Sequence, residues 1–114
     1  MPPKQNPIKL NPLQLRTLTL LQALAAIPEA AEQHDNGEIS VVSFPDLHGD
    51  HFHLGDAVVA AKDASGLNNE AVWNALTRKE LARAEWPLRI TLTVAGLQYE
   101  TGLKDQILHT HHHH

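Results

Sequence analysis

The sequence predicts an α+β fold, with a core of three helices carrying a small antiparallel β-sheet. Three observations lead there. Apolar residues between Leu13 and Ile27 recur at spacings near three and four, the period of a helix face. Leu88, Ile90 and Leu92 alternate with Arg89, Thr91 and Thr93, the period-two signature of a half-buried strand. Between them, short β-branched runs and helix-capping residues alternate with turn signals.

Residues 1–9 contain Pro2, Pro3 and Pro7 among polar spacers and read as a flexible arm. Asn11-Pro12 reads as an N-cap followed by proline in the first helical position. The helix that follows carries Leu13, Leu18, Leu20, Leu21, Leu24 and Ile27 on a wide apolar face. Pro28 either ends it or opens a short second helix through Ala31. Asp35-Asn36-Gly37 is a turn. Ile39 to Phe44 reads as a strand, Pro45 to Asp50 as a turn, and His51 to Leu54 as a second strand. In that strand Phe52 and Leu54 share one face, and His51 and His53 share the other. Asp56 is expected to cap a helix through Ala57, Val58, Val59, Ala60 and Ala61. Ser65-Gly66-Leu67 is a turn. Asn68 or Asn69 caps the next helix, with Glu70 in its first turn complementing the dipole. Ala71, Val72, Ala75 and Leu76 face inward, whereas Trp73 fits either face. This helix is expected to end between Ala82 and Glu85, before Trp86-Pro87 redirects the chain. After the Leu88–Thr93 strand, Ala95-Gly96 marks a stop, and Leu97 to Leu108 is partly helical. Residues 10–108 form one domain, and 109–114, rich in histidine, resemble a purification tag.

With 114 residues and a hydrophobic fraction of 42%, the chain is long enough to fold around one core without staples. It has no cysteine, which excludes a disulfide framework, a thiol nucleophile and thiolate zinc sites. The net charge of −4 is uneven. Residues 1–28 carry +3, residues 29–56 carry −7, and residues 57–114 are neutral. A cation site should therefore draw on the middle segment, and an anion site should avoid it. No apolar run is long enough to span a membrane. Lys4 and Lys9 before the leucine-rich stretch loosely imitate a signal peptide, but Arg16, Thr19 and Gln22 break it up. A structural helix in a cytoplasmic protein is the expectation.

Ala75-Leu76-Thr-Arg78-Lys79-Glu80-Leu81-Ala-Arg83, followed by Leu92-Thr93-Val-Ala-Gly96, resembles a phrase of MarR-like and PadR-like regulators. There a recognition helix leads into Leu-x-x-Lys-Gly-Leu-x-x-Arg, a wing, and Leu-Thr-x-x-Gly. Glu80 stands where that pattern has glycine, the residue that usually takes a left-handed helix cap. Only Ala84 to Pro87 remain for the wing, and the alternative is a hairpin that pairs through His51–Leu54. The resemblance covers residues 55–96 and implies a winged helix-turn-helix domain that binds duplex DNA in transcription regulation. The helix over 68–82 would enter the major groove. Its DNA-binding residues would be Asn68, Asn69, Trp73, Asn74, Thr77 and Arg78, with Arg89 on the phosphates. Helix capping and ordinary surface polarity account for the same residues. Nine Lys and Arg in all is few for a tight monomeric binder, and a homodimer would double the count. The helix over 12–27 has apolar positions to spare and is the expected dimer surface. The alternative function is a winged-helix protein-interaction or dimerisation module that does not bind DNA, with a metal-responsive version that uses the cluster from His48 to His53.

His48, Asp50, His51 and His53 place three imidazoles and a carboxylate within six residues, a ligand set suited to Zn²⁺ or Ni²⁺. An exposed polar hairpin explains them more simply. No Gly-x-Ser-x-Gly, P-loop or Gly-x-Gly-x-x-Gly occurs, so no catalytic residue is nominated and an enzyme is not expected.

Overall fold

A computed structural model of the chain describes residues 8–45 and 49–110. Helix α1 (Pro12–Ala25) starts with a reciprocal cap. The Gln14 N–H donates to the Asn11 side chain at 2.7 Å, and the Asn11 N–H donates to the Gln14 side chain at 3.0 Å. Pro12 sits where a helix has no use for an N–H. Leu18, Leu20 and Leu21 are fully buried, and Leu24 nearly so. Their neighbours Thr17 and Thr19 are buried too, and each hydroxyl donates to a carbonyl one turn back, that of Leu13 or Leu15, at 2.8 Å. This helix is the central strut of the core. Leu18, Leu20, Leu21 and Leu24 of the expected dimer surface are therefore covered within one chain, whereas Leu13 and Ile27 are half-buried.

A 3₁₀ turn (Pro28–Ala30) realises the short second helix at Pro28 and feeds β1 (Ala31–Gln33). The Asp35-Asn36-Gly37 turn then reverses the chain into β2 (Ile39–Val41). The Gly37 N–H bonds the His34 carbonyl at 3.1 Å, and the Asn36 side chain accepts from the Glu38 N–H at 3.0 Å.

Strand β3 (His51–Leu54) lies where the alternation places it. The expected helix at Asp56 does not form. Residues Ala57–Ala60 are instead β4, paired antiparallel with β3. Leu54-Gly55-Asp56-Ala57 is a two-residue hairpin, and Gly55 takes a φ of +59° that other residues resist. Once the chain has folded back, Val59 enters the core from a strand as well as it would from a helix.

A 3₁₀ segment (Ala61–Asn68) then packs across α1 and leads into α2 (Glu70–Arg78). Helix α2 is shorter than the sequence predicts. Its end is a left-handed cap made by Glu80, at φ +63°. The Glu80 N–H bonds the Thr77 carbonyl and the Leu81 N–H bonds the Leu76 carbonyl, both at 3.0 Å, the double closure of a Schellman motif. Released from the helix, Ala82–Glu85 becomes β5, which turns at Trp86-Pro87 and returns as β6 (Arg89–Leu92). Short helices α3 (Val94–Gln98) and α4 (Lys104–Ile107) follow, then β7 (His109–Thr110).

Two antiparallel sheets result. The larger has the order β1-β2-β6-β5, and the smaller β3-β4-β7. Strand β6 therefore pairs with β2 and β5, and not with β3. Val41, Ile90, Leu92 and Ala82 form the buried face of the larger sheet against the helices. Thr93 caps α3 by accepting from the Gly96 N–H at 3.1 Å, while its own N–H bonds the Leu81 carbonyl at 3.1 Å. Gly96 lies so close to that carbonyl that a Cβ would collide with its oxygen. The nominal arm is also tied down at its end. Leu10 is buried, and the Ile8 carbonyl accepts from Lys79 Nζ at 3.1 Å. No helix among the described residues is long and apolar enough to cross a membrane.

Candidate nucleic-acid interface

Helix α2 and its approach hold six of the seven residues nominated for DNA contact. Asn68 is exposed at the end of the 3₁₀ segment. Asn69 is half-buried, and its side chain accepts from the Ala71 N–H at 3.0 Å, so it is the helix cap. Asn74 and Arg78 are exposed, four residues apart, and share one outer face of the helix with Glu70 and Ala71. Thr77 is half-buried, and its hydroxyl donates to the Trp73 carbonyl at 3.0 Å.

Trp73 requires correction. It is 1% exposed and among the largest fully buried side chains of the core. Its ring meets Trp86 edge to face with centroids 4.7 Å apart, and Phe44 on another side at 5.5 Å. Val72, Ala75 and Leu76 occupy the same buried side, and helical periodicity takes Trp73 inward with them. It holds α2 against the β5–β6 hairpin and is not presented at the surface.

Arg89 also departs from the expectation. It stands on the face of the larger sheet that looks away from the helices, so it does not join Asn74 and Arg78. Its guanidinium is shared between Glu32, at 3.4 Å, and Glu85, at 3.3 Å. Strand register places Glu32, Ser40, Thr91, Arg89, Arg83 and Glu85 on this one face. Arg83 forms a two-pronged pair with Glu38, which draws the Glu38 carboxyl below its ordinary range and raises the Arg83 guanidinium. On the same face, Ser40 Oγ lies 2.8 Å from His34 Nε2 and 2.6 Å from Thr91 Oγ1. The Ser40 hydroxyl is buried and serves the sheet, so the His–Ser contact offers no accessible nucleophile. Sequence reasoning missed this polar face. Its one readable trace is the run of polar residues at alternate positions, on strands whose order is set by the fold.

Of the proposed metal ligands, His48 lies outside the described residues. Asp50, His51 and His53 are exposed at the start of β3. The Asp50 carboxylate is 3.1 Å from His51 Nδ1, and that hydrogen bond holds the Asp50 pKa below its usual value. Among the described residues no three ligating side chains of one chain gather around a common point.

The outer face of α2 thus offers an amide and a guanidinium at helical spacing, flanked by one carboxylate. That pair suits the hydrogen-bonding edge of a base or a phosphate. No known protein family, characterised protein or solved structure matches the chain.

Proposed function

We propose that the chain is a small winged-helix DNA-binding protein that presents α2 to the major groove, in the manner of a bacterial transcription regulator. One observation carries the reading, the strand order β2-β6-β5. The second strand after the first helix, β2, pairs with the second strand of the hairpin that follows α2. A helix-turn-helix with an appended wing needs that arrangement, because the hairpin must be anchored beside the helix it flanks. The 3₁₀ segment and α2 take the place of the two helices of the motif, and β5–β6 that of a short wing. The inserted hairpin β3–β4 lies outside the motif. On this reading Asn74 and Arg78 contact DNA, Asn68 lies at the approach, and Asn69, Trp73 and Thr77 hold the helix in place.

A second reading is favoured by the cations. Arg83 and Arg89 are paired with acids, and Lys79 with a carbonyl. A surface that has neutralised its own bases also suits a protein-interaction module.

Fluorescence anisotropy on a mixed-sequence duplex over a salt series separates the two. DNA binding gives an affinity that falls steeply with salt, and Arg78→Ala reduces the slope of log affinity against log salt by about one. Absence of binding at low salt overturns the DNA reading and leaves the protein-partner one.

A further inference from the structure

The exposed face of β3 holds a metal-ligating pair that the DNA reading does not use. His51 and His53 project to the same side of the strand, and both are exposed. Their ring centroids are 5.6 Å apart, with planes at 79°. The Asp50 carboxylate accepts from His51 Nδ1 at 3.1 Å, which leaves Nε2 as the nitrogen for a metal. Across β4, register sets Ala60 opposite His51 and Val58 opposite His53, so no cationic side chain faces the pair from that strand.

Two imidazoles are half of a tetrahedral site. The topology indicates where the other half comes from. Strand β3 is an edge of the smaller sheet, and an edge strand presents backbone groups to an incoming antiparallel strand. Pairing two copies of β3 about a two-fold axis at Phe52 sets His51 of each opposite His53 of the other. Directly opposed residues have Cβ atoms about 5 Å apart, which gathers four imidazoles over one point. The surrounding charge adds a condition. Asp50, fully exposed beside His51, is duplicated when two such edges meet, so the like charges repel until a divalent cation lies between them.

We propose that β3 is a metal-gated dimer edge, in which His51 and His53 of two copies clamp one divalent ion of the zinc or nickel class. Asp50 is a positioning residue that orients the His51 ring. The proposal stands independently of DNA binding.

The test uses the full chain with His109 and His111 to His114 changed to asparagine, so that the tail does not report. Zinc chloride is titrated by calorimetry, and mass is followed by sedimentation equilibrium. The expected result is a monomer that becomes a dimer with one ion per two chains. His53→Gln lowers zinc affinity at least tenfold and keeps the protein monomeric, and Asp50→Asn weakens binding about tenfold. The proposal is overturned if zinc does not bind, if His53→Gln leaves binding unchanged, or if each chain takes an ion and remains a monomer.

Discussion

At the scale of single residues, two positions carry backbone demands that side-chain chemistry does not reveal. Glu80 occupies a left-handed conformation at φ +63° to close α2. A side chain with a Cβ pays about 1 kcal/mol or more for that conformation, and glycine does not. Its backbone carbonyl accepts from the Thr93 hydroxyl at 2.9 Å, a bond that glycine retains. Glu80→Gly is therefore expected to stabilise the fold by about 1 kcal/mol, read as a higher urea midpoint with unchanged m-value. Gly96 is the opposite case. A methyl group there meets a backbone oxygen that Thr93 also uses, so the obstacle cannot rotate away. Gly96→Ala is expected to cost about 2–3 kcal/mol, measured in the same urea experiment; an unchanged midpoint would show that α3 shifts freely.

At the scale of elements, the outer face of the larger sheet is organised by charge pairs that link strands distant in sequence. Glu38 stands at the entrance to β2 and Arg83 on β5, and their pairing ties the hairpin to the first half of the chain. The Glu38 pKa is lowered in the folded protein, so the pair stabilises the fold at pH values above the ordinary carboxylate value of 4.5. That contribution is lost as pH falls through the depressed folded-state value. The stability gap between the natural chain and Arg83→Ala should accordingly be widest near neutral pH and close under acid conditions. It should also narrow in high salt, since the guanidinium is exposed. Urea midpoints at several pH values check both trends, and a gap constant down to acid pH would assign the role of Arg83 to packing of its stem.

At the scale of the whole molecule, α1 is the part against which everything else is assembled. The 3₁₀ segment, α2 and the larger sheet each bury apolar surface on it. Leu21, fully buried in its middle, has nowhere to be replaced from. Leu21→Ala is expected to cost about 2–5 kcal/mol through lost burial and the cavity left behind. Because both sheets share this core, the loss should appear as one cooperative transition in thermal unfolding followed by both circular dichroism and tryptophan fluorescence. Separate transitions for the two probes would divide the molecule into independent units.

The start of α1 is legible in Asn11 and Pro12 alone, and its buried stripe of leucines in their spacing. The same holds for the turn at Gly37, the strand His51–Leu54 with its two faces, the buried side of α2 at Val72, Ala75 and Leu76, and the alternation of Arg89–Leu92. Each of these is a local signal, written within a few residues by capping or by periodicity. Tertiary structure decided the rest. Ala57–Ala60 has composition compatible with helix, and became a strand because the Gly55 turn laid it beside β3. Residues 82–85 continued a helical pattern, and became β5 because Glu80 accepted a strained cap and β6 offered a partner. Trp73 fitted either face until Trp86 and Phe44 closed around it. The outward residues of α2 were legible as types, yet their separation from Arg89 was not, because that depends on which face of the sheet turns to the helices. Such choices rest on contacts between residues far apart in the chain, and local propensities of a fraction of a kcal/mol per residue do not outweigh the burial of a core.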